Sequence, residues 1–191
     1  MKNLLIILFT IGLSLSFVNC GDYINPDPCA DIVCFNGGYC ANGQCVCPQG
    51  FSGADCSQEV TPTQIKITSI RVTEFPDRDE NGDTWDLTDG ADIKVKFWKK
   101  GSSSLLYESG FYEDANYLID YDFNPSTPIV IDDPTAKYDI ALYDYDDFSA
   151  DDLMDGVEFT PYFNGEKFPA MKEIYYSGGK VKFILYYSYQ W

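Results

Sequence analysis

Apolar and polar residues alternate in short stretches from about residue 64 to the C-terminus. Residues 65–72 read IKITSIRV, and residues 92–98 and 181–187 share this two-residue period. Such a period is typical of β-strands, in which successive side chains point to opposite faces of a sheet. Further stretches of this kind occupy residues 104–108, 128–131, 138–143, 156–160 and 173–176. Eight strands with no helical stretch between them predict an all-β fold, an antiparallel β-sandwich over residues 65–191.

The first residues of the chain have the features of an export signal. Lys2 precedes an apolar stretch over residues 4–18, which is typical of a secretory signal peptide and short for a membrane span. The alternative, a buried N-terminal helix, is disfavoured because a cysteine-rich segment follows. The stretch ends in FVNC, which resembles a bacterial lipobox and implies that Cys20 becomes the lipid-modified first residue. We therefore predict a signal peptide over residues 1–19 and an exported lipoprotein, anchored to the outer membrane or cell surface of the bacterial cell envelope.

The chain has seven cysteines, and six of them form one cluster over residues 29–56. Because seven is odd, Cys20 is the cysteine left over for lipidation. A segment this short buries too little apolar surface to fold alone, so we expect disulfides to supply its stability, at about 2–4 kcal/mol each. Spacing alone does not choose among the possible pairings. Zinc is the alternative, disfavoured because the chain has no histidine and an export signal implies an oxidising compartment.

The cysteine cluster resembles an epidermal growth factor (EGF)-like domain. The resemblance rests on CFNGGYC at residues 34–40 and CVCPQGFSGADC at residues 45–56. It implies a small fold of two hairpins with the disulfides Cys29–Cys40, Cys34–Cys45 and Cys47–Cys56. Calcium-binding members have a longer stretch between the third and fourth cysteines than the ANGQ found here. We therefore expect a spacer or protein-contact module that does not itself bind calcium, with residues 20–28 as a lipid-anchored spacer and residues 57–64 as a short, semi-rigid linker.

Charge and composition exclude several functions. The chain has 30 Asp and Glu against 13 Lys and Arg, a net charge of −17, which repels the phosphates of nucleic acids. The absence of histidine excludes Ser-His-Asp catalytic triads and histidine-ligated metal sites. Any metal must therefore be held by oxygen or thiolate ligands.

The acidic residues are concentrated in two windows, residues 77–92 and residues 144–155. In an up-and-down sandwich these windows follow the first and fifth predicted strands, so both fall at the same end. Carboxylates brought together repel one another, and a hard cation with oxygen ligands, Ca²⁺ rather than Mg²⁺ or zinc, would offset that repulsion. The alternative is that the acids only keep an exported protein soluble. An EF-hand beginning at Asp77 is improbable because Thr88 replaces the Glu required at its twelfth position.

Both windows also resemble the calcium loops of C2 domains, through YDYDDFSADDLM at residues 143–154 and DLTDGADIKV at residues 86–95. The resemblance implies an eight-stranded, C2-like β-sandwich. Departures from the family pattern are Ile93 in place of the usual Pro and the displacement of a Gly to Gly156. The calcium ligands implied by the resemblance are Asp86, Asp92, Asp144, Asp146 and Asp152, with Ser149 as a lesser ligand and Asp77 or Asp83 as supplements.

Several aromatic and apolar residues lie in or near these windows. We expect Trp85 to plug the end of the sandwich rather than to stack on a sugar or lipid headgroup. Phe148, Leu153 and Met154 are candidates for membrane insertion, with one or two of them in the core. The aromatic residues at 186–191 predict a last strand with half of its rings exposed at a sheet edge.

Together these features predict a non-enzymatic, membrane-anchored module for calcium-dependent binding or adhesion. Its EGF-like unit would present the sandwich, and calcium would bridge to an acidic glycan, a protein or a phospholipid headgroup. The first alternative is a C2 domain that docks calcium-dependently on phospholipid, disfavoured because no polybasic patch accompanies the loops. The second is a glycosidase that uses two aspartates, disfavoured because no apolar pocket is evident to raise one pKa.

Overall fold

The computed structural model describes residues 27–86 and 90–191. All regular secondary structure in these two ranges is β-strand, which confirms the all-β prediction. Neither range contains a helix long and apolar enough to cross a membrane. The predicted signal peptide and Cys20 lie outside the described residues.

The cysteine-rich module is built from two small hairpins. β1 (Tyr39–Ala41) pairs with β2 (Gln44–Val46), and β3 (Phe51–Ser52) pairs with β4 (Gln58–Glu59). Asn42 and Gly43 connect β1 to β2 with φ angles of 51° and 83°, the left-handed conformation that an Asn-Gly hairpin turn adopts readily. The disulfides are those that the EGF-like resemblance implies: Cys29–Cys40, Cys34–Cys45 and Cys47–Cys56.

The remaining strands form two antiparallel sheets packed face to face. They are β5 (Gln64–Glu74), β6 (Ala91–Lys99), β7 (Leu105–Ala115), β8 (Tyr121–Phe123), β9 (Ile129–Ile131), β10 (Tyr138–Asp144), β11 (Asp152–Phe159), β12 (Met171–Ile174) and β13 (Lys182–Gln190). One sheet has the order β11, β10, β6, β7. The other has the order β12, β13, β5, β8, with β9 also paired to β5. This arrangement confirms the predicted β-sandwich.

The alternating side chains of the central strands form the core. On β5, Ile65 and Ile67 point inward, and so do Ile70 and Val72, although Ile67 and Ile70 are three residues apart. The register between β5 and β13 shifts at Thr68, a β-bulge that returns the second apolar pair to the buried face. Facing residues from the other strands complete the core, among them Ile93, Val95, Phe97, Ile140, Leu142, Phe183 and Leu185.

Two features of the sandwich differ from the prediction. A ninth strand, β8, was not predicted, because three residues are too few to show a period. The prediction of an exposed aromatic edge at residues 186–191 is wrong: β12 pairs with β13 as far as Tyr186, and the Tyr187 N–H donates to the Ala170 carbonyl oxygen at 2.8 Å. Tyr187 is buried, and the Tyr189 hydroxyl donates a hydrogen bond to the Pro169 carbonyl oxygen at 2.8 Å.

The aromatic residues at the end of β13 pack against the cysteine-rich module. Phe168 lies at the centre of this contact, with ring centroids 5.4 Å from Phe51 of the module and 5.1 Å from Trp191. The absence of a side chain at Gly50 leaves room for these rings, since a Cβ there would come within 2.7 Å of both Phe168 and Trp191. The contact is therefore closely packed, and only glycine fits at position 50 without displacing a ring.

The predicted linker is part of the same contact. The Val60 N–H donates to the Gly50 carbonyl oxygen and the Trp191 indole N–H donates to the Val60 carbonyl oxygen, both at 2.8 Å. One carboxylate oxygen of Glu59 accepts hydrogen bonds from the Tyr162 hydroxyl at 3.1 Å and the Gly165 N–H at 2.8 Å. These bonds tie the chain between the two modules to both of them, so the modules are held in one relative orientation.

Candidate functional site at the acidic end

Three connections meet at one end of the sandwich, which we call the acidic end. Because β10 runs antiparallel to β6, with Asp144 opposite Ile93, the chain leaves β10 beside the start of β6. Ala91 and Ala115 are likewise paired, which places the end of β7 there too. The acidic end therefore comprises the described parts of the connection before β6 (residues 75–86 and 90), together with the connections after β7 (residues 116–120) and after β10 (residues 145–151). The two acidic windows lie at the same end, as the up-and-down arrangement predicts.

Asp144 is the central carboxylate of this end. It is the last residue of β10, its side chain points inward, and only 1% of it is exposed. Its Oδ1 accepts a hydrogen bond from the Asp92 N–H at 2.7 Å. A buried aspartate in a strand that otherwise contributes Ile140 and Leu142 to the core is unusual, because burial destabilises its charged form.

Asp92 connects three strands at this point. Besides its N–H bond to Asp144, its carbonyl oxygen accepts a hydrogen bond from the Tyr145 N–H at 2.8 Å. Its own Oδ1 accepts a hydrogen bond from the Asp114 N–H at 3.0 Å. Asp92 of β6 is thereby held to β10 on one side and to β7 on the other. No sequence pattern indicates the contribution of Asp114, because its backbone N–H makes it.

The environment of Asp144 raises its pKa to about 7. Burial is the main cause, and the hydrogen bond from the Asp92 N–H, which lowers the pKa, is the next largest. The nearby charges of Asp86, Asp146 and Asp92 act in the same direction as burial. Three of the other four predicted ligands thus act electrostatically on Asp144.

The chemistry of the cluster suits a hard divalent cation, because its side chains offer only carboxylate oxygens and repel one another. The geometry is less complete. Within residues 27–86 and 90–191, no group of three or more Asp, Glu, Cys or His side chains is arranged to hold a metal ion. The fit is therefore in ligand type and charge, and calcium binding stays a prediction.

The other predicted ligands lie around this cluster. Asp152 is paired with Asp144 in the β10–β11 register, but its side chain is exposed and lines a shallow cleft with Glu80 and Trp85. Ser149 is exposed in the connection after β10. Asp77 is exposed and lies 3.9 Å from Arg78, and Asp83 is exposed in the turn that follows.

That turn, at residues 78–84, is organised by Asp79 rather than by Asp77 or Asp83. The Asp79 Oδ1 accepts hydrogen bonds from the N–H groups of Asn81 and Asp83, both at 2.8 Å. These bonds lower the pKa of Asp79, chiefly the one from Asp83. Arg78 and Thr84 close the turn as a β-bridge. The described residues on either side of the turn form no helix, whereas an EF-hand loop lies between two helices. The resemblance to the start of an EF-hand loop therefore reflects a local turn.

Apolar side chains surround the acidic end. Trp85 packs against the core, and its indole N–H donates to the Pro76 carbonyl oxygen at 3.0 Å, in agreement with the predicted plug. Met154 is buried in the core, whereas Phe148 is fully exposed and Leu153 is more than half exposed. The connection after β7 adds further exposed side chains, namely Tyr117, Leu118 and Ile119.

Sequence reasoning missed an ion-pair network beside this site. Asp151 turns back from the connection after β10 and contacts Lys96 at 2.6 Å and Lys94 at 3.4 Å. Lys94 also contacts Glu108 of β7 at 2.9 Å. The spacing of the lysines on β6 places them on the outer face of the sheet, but nothing local in the sequence indicates which acid they contact.

Comparison with known proteins identifies the first module. The family model described as EGF-like domain matches residues 28–56. A curated relative, "EGF-like repeat and discoidin I-like domain-containing protein 3" of Mus musculus, is 35% identical over 99 residues, which cover 47% of this chain and 19% of the relative. The chain thus spans about a fifth of the length of that relative.

Several solved structures match about two thirds of this chain, and some of them are titled as C2 domains. One titled "Structure of a C2 domain" is 16% identical, with a TM-score of 0.44, and the match covers 67% of this chain and 98% of that one. A C2 domain protein from Ramazzottius varieornatus is 12% identical, with a TM-score of 0.42 and coverages of 66% and 89%. Human GIVD cytosolic phospholipase A2 in complex with an inhibitor and terbium chloride is 15% identical, with a TM-score of 0.45 and coverages of 66% and 17%. At these values the similarity gives no information about fold family or ligands. The chain combines an EGF-like domain at residues 28–56 with an antiparallel β-sandwich.

Proposed function

We propose that this protein is a non-enzymatic binding or adhesion module whose acidic end binds its ligand in a calcium-dependent manner. The observation that carries the proposal is the position of Asp144 and of the three carboxylates that act on it, Asp86, Asp92 and Asp146, at the end of the sandwich farthest from the EGF-like domain. The EGF-like domain packs where β5 begins and β13 ends, and the acidic end lies where β5 ends. This arrangement presents the acidic end outward, away from the side on which the chain is predicted to be anchored.

The residues of the acidic end have separate roles in this proposal. Asp92 fixes the three strands, Asp144 supplies a buried carboxylate, and Asp146 supplies a more accessible one. Calcium, when bound, supplies positive charge that offsets the repulsion and coordination positions for an acidic group of the ligand, in a glycan, a protein or a phospholipid. The residues that would hold it are Asp86, Asp92, Asp144, Asp146 and Asp152.

The burial of Asp144 supports a non-enzymatic role. A glycosidase needs one protonated and one ionised carboxyl group in contact with the substrate. Asp144 has the raised pKa of a general acid, but it is 1% exposed and its Oδ1 is occupied by the Asp92 N–H. A sugar therefore has no access to it, and its raised pKa is a consequence of burial.

The proposal predicts that Asp146→Asn weakens calcium binding to the full chain far more than Asp133→Asn. Both substitutions remove one negative charge, but Asp133 precedes β10 and so lies at the opposite end, 3.0 Å from Lys99. Calorimetric titration with calcium chloride should show at least about a tenfold loss of affinity for Asp146→Asn, equal to about 1.4 kcal/mol. The loss should persist in high salt, which screens a diffuse field over about 8–10 Å. Equal affinities of the two variants would reject the site, and no binding by the unsubstituted protein would reject calcium dependence.

A second candidate function, calcium-dependent docking on phospholipid, is favoured by the exposed apolar side chains at the acidic end. Phe148 and Leu118 project from two of its connections and have the character of side chains that enter a bilayer. The same titration, repeated with vesicles of phosphatidylcholine with and without phosphatidylserine, distinguishes the candidates. Vesicle binding that needs both calcium and Phe148 supports docking, and calcium binding without vesicle binding supports a glycan or protein ligand.

The lipid on Cys20 and the cell-envelope location stay predictions from the sequence. Mass spectrometry showing an unmodified Cys20 in the mature protein would refute them.

A further inference from the structure

The connection after β10 is held to the outer face of the sheet at both of its ends. At the first end, the Tyr145 N–H bonds to the Asp92 carbonyl oxygen, and the Tyr145 ring stacks on Phe111 at 4.3 Å. The Lys94 ammonium lies over the Tyr145 ring, 4.9 Å from its centroid. At the second end, Asp151 contacts Lys96 and Lys94. Between these two points lie only residues 146–150.

We infer that Asp151 is a positioning residue that clamps this connection, so that Asp146 is held beside Asp144 before any cation binds. This inference rests on the proposed function, because it assigns a role in presenting a predicted calcium ligand. It differs from the family resemblance, which marks the aspartates of the loop as ligands and does not include Asp151.

The burial of the contact gives the clamp its strength. The exposed fractions of the side chains are 13% for Asp151, 13% for Lys94 and 19% for Lys96. Exposed ion pairs contribute little, but partly buried charges are less screened, and loss of one partner leaves the other uncompensated. The clamp is therefore strong enough to restrict a short connection.

Asp151 is a poor candidate for a cation ligand itself. Its carboxylate already contacts two ammonium groups, and Lys96 is further held 4.2 Å from the Tyr143 ring centroid. Glu108 competes with it for Lys94, at 2.9 Å, and for Lys96, at 4.0 Å. The charges around Asp151 are thus balanced on the sheet face, in contrast to the acids that surround Asp144.

Two substitutions with opposite effects on net charge test the clamp. Asp151→Asn removes a negative charge near the predicted site, and Lys96→Gln removes a positive one. If the acidic end attracted calcium only through its overall charge, Asp151→Asn would weaken binding and Lys96→Gln would strengthen it. The clamp predicts that both substitutions weaken calcium binding, by about three- to tenfold, since each breaks the same contact. A tighter affinity of the Lys96→Gln variant would overturn the inference.

Hydrogen exchange of the calcium-free full chain tests the clamp independently of calcium binding. Amide exchange at residues 146–150 should become faster in Asp151→Asn and in Lys96→Gln. Asp147→Asn is the matched control, because Asp147 lies in the same connection, carries the same charge and is exposed, and its carboxylate accepts a hydrogen bond from the Tyr145 hydroxyl at 3.2 Å without contacting a lysine among the described residues. Its exchange should stay unchanged. Unchanged exchange in the clamp variants refutes the clamp, whereas faster exchange in a protein that binds no calcium supports the clamp and refutes only the proposed function.

Discussion

Asp144→Asn is expected to stabilise the calcium-free protein at pH 8, by about 2–4 kcal/mol in the free energy of unfolding. The pKa of this carboxyl rises from 3.8 to about 7 on folding, and each pKa unit corresponds to about 1.4 kcal/mol of lost stability once the group ionises. Asparagine has the same shape and keeps an oxygen for the Asp92 N–H, but it carries no charge to bury. The substitution therefore removes a cost that the native protein bears at neutral pH.

The pH dependence of this effect has a definite direction. Because folding raises the pKa of Asp144, its favourable contribution is fully present below about pH 4 and is lost as the pH rises towards 7. Urea denaturation in the presence of a chelator should show similar stabilities for variant and unsubstituted protein at pH 4, and a more stable variant at pH 8. The control is Asp133→Asn, whose carboxyl has a pKa lowered chiefly by the hydrogen bond from Lys99, so that its loss is slightly destabilising at pH 8. A destabilised Asp144→Asn variant at pH 8 would contradict the electrostatic reading of this site.

Phe168→Ala is expected to lower the free energy of unfolding by about 2–4 kcal/mol, within the range for truncation of packed aromatic side chains. Phe168 contacts Phe51 and Trp191 and also stacks on Tyr162 with a centroid distance of 5.6 Å. Its loss opens the contact between the EGF-like domain and the sandwich. The Val60 amide hydrogen, which is bonded to the Gly50 carbonyl oxygen, should then exchange faster with solvent. Amide hydrogen exchange measures this rate directly.

Phe163→Ala is the matched control for this substitution. Phe163 lies in the same connection between β11 and β12 but is more than half exposed. Its truncation should cost less than about 1 kcal/mol and leave the exchange of the Val60 amide unchanged. Equal losses from the two variants would mean that Phe168 does not join the two modules.

The strands of the sandwich were predictable because burial on one face imposes the two-residue period. That rule also limits what can be read, since the bulge at Thr68 shifts the period within a single strand and β8 is too short to have one. The position of β13 inside its sheet was not predictable from its own residues. β12 pairs with one edge of β13, and nothing in the residues of β13 indicates that pairing.

The sequence predicts that acidic residues cluster at one end of the sandwich, but it does not predict the contacts and burial of their side chains. Strand order alone places the two windows together, and the family resemblance names the aspartates. Neither indicates that Asp144 is buried and hydrogen-bonded to the Asp92 backbone, nor that Asp151 is neutralised by two lysines. These properties depend on residues that are far apart along the chain. Asp92 and Asp144, for example, are 52 positions apart, and the pattern of a single sequence contains no information on such pairs.

The course of β5 from the EGF-like domain to the acidic end has a mechanical consequence. If the acidic end binds a ligand as proposed, a pull between that ligand and the EGF-like domain enters β5 at Gln64 and leaves it near Glu74. The force then runs along the strand, and the hydrogen bonds that join β5 to β13, from Gln64 opposite Gln190 to Glu74 opposite Lys182, lie across it. Bonds loaded in this way must break together instead of one after another. The strand is therefore placed to resist stretching, as a tether that holds a ligand under tension requires.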